Sequence, residues 1–441
     1  MEEEKNRSSP KSGPKVRARS LVTAPTGDLA PREVEGLLAE RAASHAHFSP
    51  LVYRTEPRYW AKPYLQGQLL DIPRTSVEPM VIALVGPKPA AGRALQPCIR
   101  EGAWDDAAIL TQHHRLVDET LGTEDGVVIV AGSGFPKPGP HWVGVARQYC
   151  GAVGQVANCQ QGVFLGYASA AGYTLLDRRL YLPERWFTPA YQERWQQCGI
   201  PEGTVFQTEP QLAAEMLGQL VTRRTPRFRW VTCDEKYGRD TAFLDAVDGL
   251  GRWYLAEVPH DTRVWGQRPA TAVPPAKGRG RRPTRRRLVP GAPTPRRVDA
   301  IARQLPWRAW RRRTIKEGAK GPIVAEFAFL HAVAVREALP GPAVWVVFRR
   351  TLEPTPELKV YLSNAPKHLS KRVLVRVSGL RWPVETALEE SKGELGMDHY
   401  ETRSWCGWHH HLTLTLLAHH FLVRLRLRLK KKPGVDGAPS A

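Results

Sequence analysis

The order of apolar runs between residues 126 and 258 constrains this chain more than any other feature. VVIV at 127–130 is a short, continuous apolar run behind a glycine, the pattern of a buried strand, and a turn is expected after it at AGSGFPKPG. QQGVFLGYAS and YTLLDRRLYLP follow, two strand-like runs of the kind that pair antiparallel. A helical stretch comes next at about 210–222, then the strand RFRWVTCD ending in Asp234, a helix at DTAFLDAVDGLG and a strand at RWYLAEVP. Three strands, helix, strand, helix, strand predict a mixed α/β sheet with an antiparallel hairpin side.

That order is the one an RNase H-like nuclease core requires. Residues 31–121 have a different texture. REVEGLLAERAASH, AKPYLQGQLL, VEPMVIALV and WDDAAILTQHHRLVDETL are amphipathic pieces separated by Pro and Gly. They predict a helical N-terminal domain, and Arg54, Arg58, Lys62 and Arg74 on it suit a DNA-facing surface, although a plain helical bundle reads the same. Between 260 and 353 the core order is interrupted by a basic insertion. PPAKGRGRRPTRRRLVPGAPTPRR at 274–297 is too rich in Arg, Pro and Gly to pack a core and is expected to be a mobile loop. AVWVVFRR and ELKVYLSNAP return to strand texture. The division is thus 1–30, a disordered basic N-terminus; 31–121, helical; 122–259, first part of the core; 260–353, insertion; 354–428, last part of the core; and 429–441, a disordered tail.

The 441 residues carry a formal net charge of +21, with a sequence pI near 10. Such a balance favours a polyanion, most commonly nucleic acid. PWRAWRRRTIKEG at 306–318 concentrates that chemistry: Trp307 and Trp310 are interleaved with Arg308 and Arg311, which suits phosphate contact and base stacking. A surface helix with two anchoring tryptophans is the plainer alternative. The six cysteines form no C-x-x-C pair, as expected for reduced thiols in a cytosol. MEEEKNRSSPK has no apolar signal core, and LTLTLLAHHFLV at 412–423 is too short for a membrane helix, so a soluble cytoplasmic protein is expected.

One stretch combines helix signals with chemistry. In RWPVETALEESKGELGMDHYETR at 381–403, Pro383 suits a first helical turn, and Gly393 and Gly396 suit its end. Val384, Ala387, Leu388, Ser391 and Leu395 form one stripe, while Glu385, Glu389 and Lys392 form a second line. Taken alone, that second line is as well explained by a solvated, ion-paired face. VVIVAGSGFPKPG is no dinucleotide or Walker loop, because Lys137 holds the third-glycine offset, Pro136 and Pro138 bar a helix, and no G-K-[ST] follows. His409–His411, His419 and His420 lack H-x-x-x-H spacing and read as core or surface histidines rather than metal ligands.

The blocks GFPKPGPHWVGVARQYCGAVGQVANCQQGVFLGYAS, DRRLYLPERW, VTCDEKYGRDTAFLDAV, YLSNAP and RWPVE…SKGELGMDHYETRSWCGWHHHLTL, in one collinear order, resemble a bacterial insertion-sequence transposase of the DDE group with the superfamily endonuclease domain. The resemblance covers roughly 45–425. It implies an RNase H-like fold, two Mg2+ (or Mn2+) ions held by Asp, Asp and Glu, and cleavage and transfer of transposon-end DNA, the protein working as a homo-oligomer on that DNA in a bacterial nucleoid. The family's second Asp falls on Asp234 and its Glu on Glu385. Its Arg-x-x-x-Glu-x-x-x-x-x-x-Lys pattern matches Arg381, Glu385 and Lys392, which implies phosphate contacts for Arg381 and Lys392; Ser378 stands where the fullest form has tyrosine.

The first Asp of the pattern is absent. Ala131 holds its place and Gly132 that of its acidic neighbour. Asp125 lies six residues earlier, roughly 20 Å along an extended strand, too far to substitute. Ser133 is nearer, but a neutral hydroxyl is a poor Mg2+ ligand beside carboxylates. Ala131 therefore predicts severe loss of strand cleavage. Three functions follow from the sequence: a metal-dependent transposase, a catalytically inactive DNA-binding derivative, or an RNA-binding protein using the Arg/Trp segment.

Overall fold

The computed structural model describes residues 31–430 except 53, 103, 276, 277, 279–281, 319 and 320. The stretches expected to be disordered at 1–30 and 429–441 lie outside these residues, except that 429 and 430 end the last helix, and part of the basic loop at 274–297 also lies outside. Five helices open the described chain: α1 (Pro31–Ala46), α2 (Thr55–Gln68), α3 (Val77–Val85), α4 (Pro89–Glu101) and α5 (Asp106–Leu121). Asp105 starts α5 by accepting from the Ala108 amide, which satisfies one of the orphan donors of a helix start.

The sheet begins with β1 (Val127–Pro136), β2 (Ala146–Cys150), β3 (Gln155–Ala168) and β4 (Tyr173–Tyr181). After α6 (Gln192–Gln197) and α7 (Glu209–Arg223) come β5 (Trp230–Cys233), α8 (Glu235–Gly238), α9 (Thr241–Gly249) and β6 (Trp253–Val258). The order across this part is β4-β3-β1-β5-β6, with β3 antiparallel to β1 and β4, and β5 parallel to both β1 and β6. This is the mixed, RNase H-like order expected, with β1 central. The AGSGFP segment differs from expectation: it is strand, not turn. β3 is long enough to pair with β1 along its whole length, from Val127↔Ala168 to Pro136↔Cys159.

Residues 260–353 add strands to the same sheet. They form β7 (Arg263–Trp265), the small pair β8 (Thr271–Ala272) and β9 (Arg287–Leu288), β10 (Arg296–Arg297), α10 (Val298–Gln304), β11 (Arg311–Gly318), β12 (Gly321–Arg336) and β13 (Leu339–Arg350). With β14 (Leu358–Ser363), they continue the same sheet outward from β6 as β14-β13-β12-β7-β10. The reason is in the side chains: Phe327, Ala328, Val346, Val347 and Phe348 are fully buried, and each large one contributes about 1.5–3 kcal/mol by leaving water. The Arg/Trp segment leads into a strand, β11, rather than forming a surface helix.

Three helices close the described chain: α11 (Lys371–Ser378), α12 (Trp382–Leu395) and α13 (Trp405–Lys430). Pro383 lies in the first turn of α12, and Gly396 ends it at φ 61°, a left-handed conformation that favours glycine. Helix therefore stops at Leu395, with Gly393 inside it and 397–404 an irregular link. The stripe Val384, Ala387, Leu388, Ser391 and Leu395 is buried as expected. At the α12 crossing, β3 carries Gly166, where an added Cβ would lie 2.8 Å from Val384 Cγ2, so glycine sets how closely the helix approaches the sheet. Helix α13 runs through the interior, buried nearly all round from Gly407 to Phe421. Its histidines are core groups: His411 bonds Tyr64 Oη at 2.7 Å, His410 the Ile99 carbonyl at 3.0 Å, and His419 pairs with Glu390 at 3.0 Å.

Candidate active site

Register brings the site together. In the parallel pairs, Val130 lies beside Cys233 and Cys233 beside Ala256. One residue further along, Ala131, Asp234 and Glu257 stand in a row across β1, the end of β5, and β6. Strand alternation turns them to the face that carries Ile129, Trp230 and Leu255, the face on which α12 packs Val384, Ala387 and Leu388. Glu385 hangs from α12 beside that row. The helix brings its carboxylate to Arg381, whose guanidinium also meets Glu257, and the neighbour of Asp234 on β1 is a methyl group.

Asp234 caps α8: its Oδ1 accepts from the Lys236 amide at 3.0 Å and the Tyr237 amide at 3.4 Å. Burial raises its pKa above the ordinary carboxylate value, against the pull of Arg381 and those amides. Arg381 does not reach toward solvent as a phosphate contact would. Its Nη1 lies 2.7 Å from Glu385 Oε1 and its Nε 3.3 Å from Glu257 Oε2. Lys359 Nζ meets the other Glu257 oxygen at 3.1 Å. Lys392, from the last turns of α12, donates to the Gly134 carbonyl at 3.2 Å and lies 5.1 Å from the Phe135 ring centre. It therefore flanks the β1 side of the row, with its pKa lowered by burial against the opposing charge of Asp398.

Glu257 is the residue that sequence patterns alone did not single out. Its signal was present: a carboxylate near the end of an otherwise apolar strand, one strand over from Asp234. Asp125 lies at the opposite end of the sheet, paired with Arg229 at 3.6 Å, and takes no part.

A two-ion centre does not fit these donors. It needs a carboxylate bridging ions about 3.5–4 Å apart, and Ala131 offers none. Glu257 and Glu385 are already paired with cationic side chains. Among the described residues, no three His, Cys, Asp or Glu side chains are grouped as metal ligands.

The Arg/Trp segment divides. Trp307 is 74% exposed with Arg308 packed near its ring, and Arg311 is exposed on β11. Trp310 is 6% exposed, packed against Phe348 and the Arg350 guanidinium, so it is a core residue and not a base-stacking surface. Its neighbouring arginines mask an inward position at the threshold of the strand.

Just past β1, Lys137 is buried, donates to the Asp398 and Tyr400 carbonyls at 3.2 and 3.3 Å, and lies 3.4 Å from the Tyr400 ring centre. It pins the 397–404 link to the sheet. Burial lowers its pKa to about 7 from 10.5, although the carbonyls and ring favour its charge. The unfolded chain then binds more protons than the folded one between those values, so this group makes stability rise with pH across that window. In urea titrations, Lys137→Met is expected to remove that rise, and an unchanged wild-type-minus-variant difference from pH 7 to 10 would refute it.

Comparison with known proteins adds the lineage. No curated protein matches the chain. Among solved structures, the NurA nuclease from Sulfolobus solfataricus is similar at 12% identity, over 64% of this chain and 86% of that one, with a TM-score of 0.27, too low to carry an argument. The family described as DDE superfamily endonuclease matches residues 47–322, well over half of the chain, including Ala131 and Asp234 and ending before α12. Proteins of that family are nucleases of the transposase type and generally use divalent metal ions, the feature that the Ala131 position does not support. By that match, the chain belongs to the DDE superfamily endonuclease family.

Proposed function

We propose that this protein binds double-stranded transposon-end DNA as a transposase derivative whose centre, with Ala131, does not cleave it. The observation that carries the reading is Ala131 beside Asp234 under Glu385: the scaffold of the family is kept and its bridging carboxylate is missing. The net charge of +21 and the exposed Trp307, Arg308 and Arg311 support the DNA-binding half. So does a cavity of about 450 Å³ between the N-terminal helices and the 400–404 link, lined in part by Arg100, Arg194 and Arg403. The protein would work as a homo-oligomer at the nucleoid of a bacterial cytoplasm.

The purified chain is expected to shift its own terminal DNA in a gel and to leave both strands intact with Mg2+ or Mn2+. Cleavage by the wild-type chain that disappears in Asp234→Asn would overturn the inactive half of this reading. Tighter binding to RNA than to duplex DNA would overturn the other. Replacing Arg308 and Arg311 by Gln is expected to lower the slope of log affinity against log salt by about one for every phosphate those arginines neutralise. An unchanged slope in fluorescence anisotropy would remove those two residues from the interface.

A further inference from the structure

We propose that Arg381 is a built-in cation: its guanidinium takes the place of a divalent metal among Asp234, Glu257 and Glu385. The inference goes beyond DNA binding, because it concerns what the free protein holds at its centre. A helix-surface ion pair does not explain the geometry. An arginine one turn before a glutamate is the less favourable order on an isolated helix, and exposed pairs are worth little. Here the Arg381 side chain is only 20% exposed and Glu257 only 9%. The planar fork presents Nε to one carboxylate and Nη1 to another, a bridge between sheet and helix that a point charge such as lysine does not reproduce.

The carboxylates, in turn, are arranged for a cation. Glu257 Oε2 is buried and accepts no hydrogen bond, although it faces the guanidinium at 3.3 Å. Asp234 stands beside it on the neighbouring strand and contributes to keeping Arg381 charged. Without Arg381, Glu257, 9% exposed, would keep Lys359 as its one close cation, and Glu385 would lose its partner at 2.7 Å. Glu257 thus supplies, from β6, a carboxylate that β1 no longer has, and the centre is closed by its own side chain.

The test uses the full chain without DNA, so it stands apart from any failure to bind DNA. Mn2+ is titrated while free ion is followed by electron paramagnetic resonance. Wild type is expected to bind no Mn2+ that depends on Asp234 or Glu257. Arg381→Met is expected to gain one Mn2+ per chain, and to lose it again when Glu257→Gln is added. Mn2+ binding by wild type that is abolished in Asp234→Asn overturns the proposal, as does a folded Arg381→Met that takes up no ion. If Arg381→Met unfolds in metal-free buffer, refolding becomes the readout: recovery of native circular dichroism with Mn2+ but not Na+ supports it, and no recovery overturns it.

Discussion

Ala131→Asp is expected to give this protein divalent-metal-dependent cleavage of its end DNA, on the order of 10²-fold or more above the wild-type background. The new carboxylate would stand beside Asp234 across the parallel β1–β5 pair. A doubly charged ion then competes better with the singly charged Arg381 for the centre. The same substitution places two carboxylates side by side at a position where Ala131 is only 8% exposed. In metal-free buffer it should therefore lower stability by about 1–3 kcal/mol, the cost of burying an unsatisfied polar group. Added Mn2+ should restore that loss. A variant that folds, binds the DNA and still leaves it intact would show that Ala131 is not what separates this centre from a working one.

Arg178→Met is expected to destabilise the fold by about 3–5 kcal/mol, toward the lower end because Asp106 keeps a quarter of its side chain in water. Arg178, 2% exposed on β4, donates to Asp106 of α5 at 3.0 Å and to the His409 carbonyl and Thr413 hydroxyl of α13. It is where the N-terminal helices, the sheet and the long buried helix meet. Methionine keeps much of the volume and removes the charge, so Asp106 loses its strongest partner, while Asp177 keeps Arg179 at 3.0 Å and the backbone amide of residue 178 at 2.7 Å. Urea unfolding followed by circular dichroism measures the loss. A change below about 1 kcal/mol would mean that the network contributes no more than an exposed ion pair.

Local pattern determined much of this. VVIV, WVTC and WYLAEV are strands because short, largely apolar runs have no other way to leave water in so short a length. The helix at Pro383 was legible from its proline, its stripe and its closing Gly396. The family pattern singles out Ala131, and the register sets it beside Asp234. The Arg/Trp segment was misread: the chain turns Trp310 inward at the entry to β11 and leaves Trp307 outside, and flanking arginines hide that difference. EFAFLHAVAV pairs with β13 and with β7, the latter more than sixty residues earlier in sequence, and no local pattern records that pairing.

The sequence by itself determined the elements of the core and drew attention to Asp234, Glu385 and Ala131. Only the tertiary structure decided what surrounds those carboxylates. Register places Glu257 next to Asp234, and burial turns Arg381 inward to bridge Glu257 and Glu385. A residue's type is written in the chain, but which charges it meets out of water depends on strands and helices that are far apart along it.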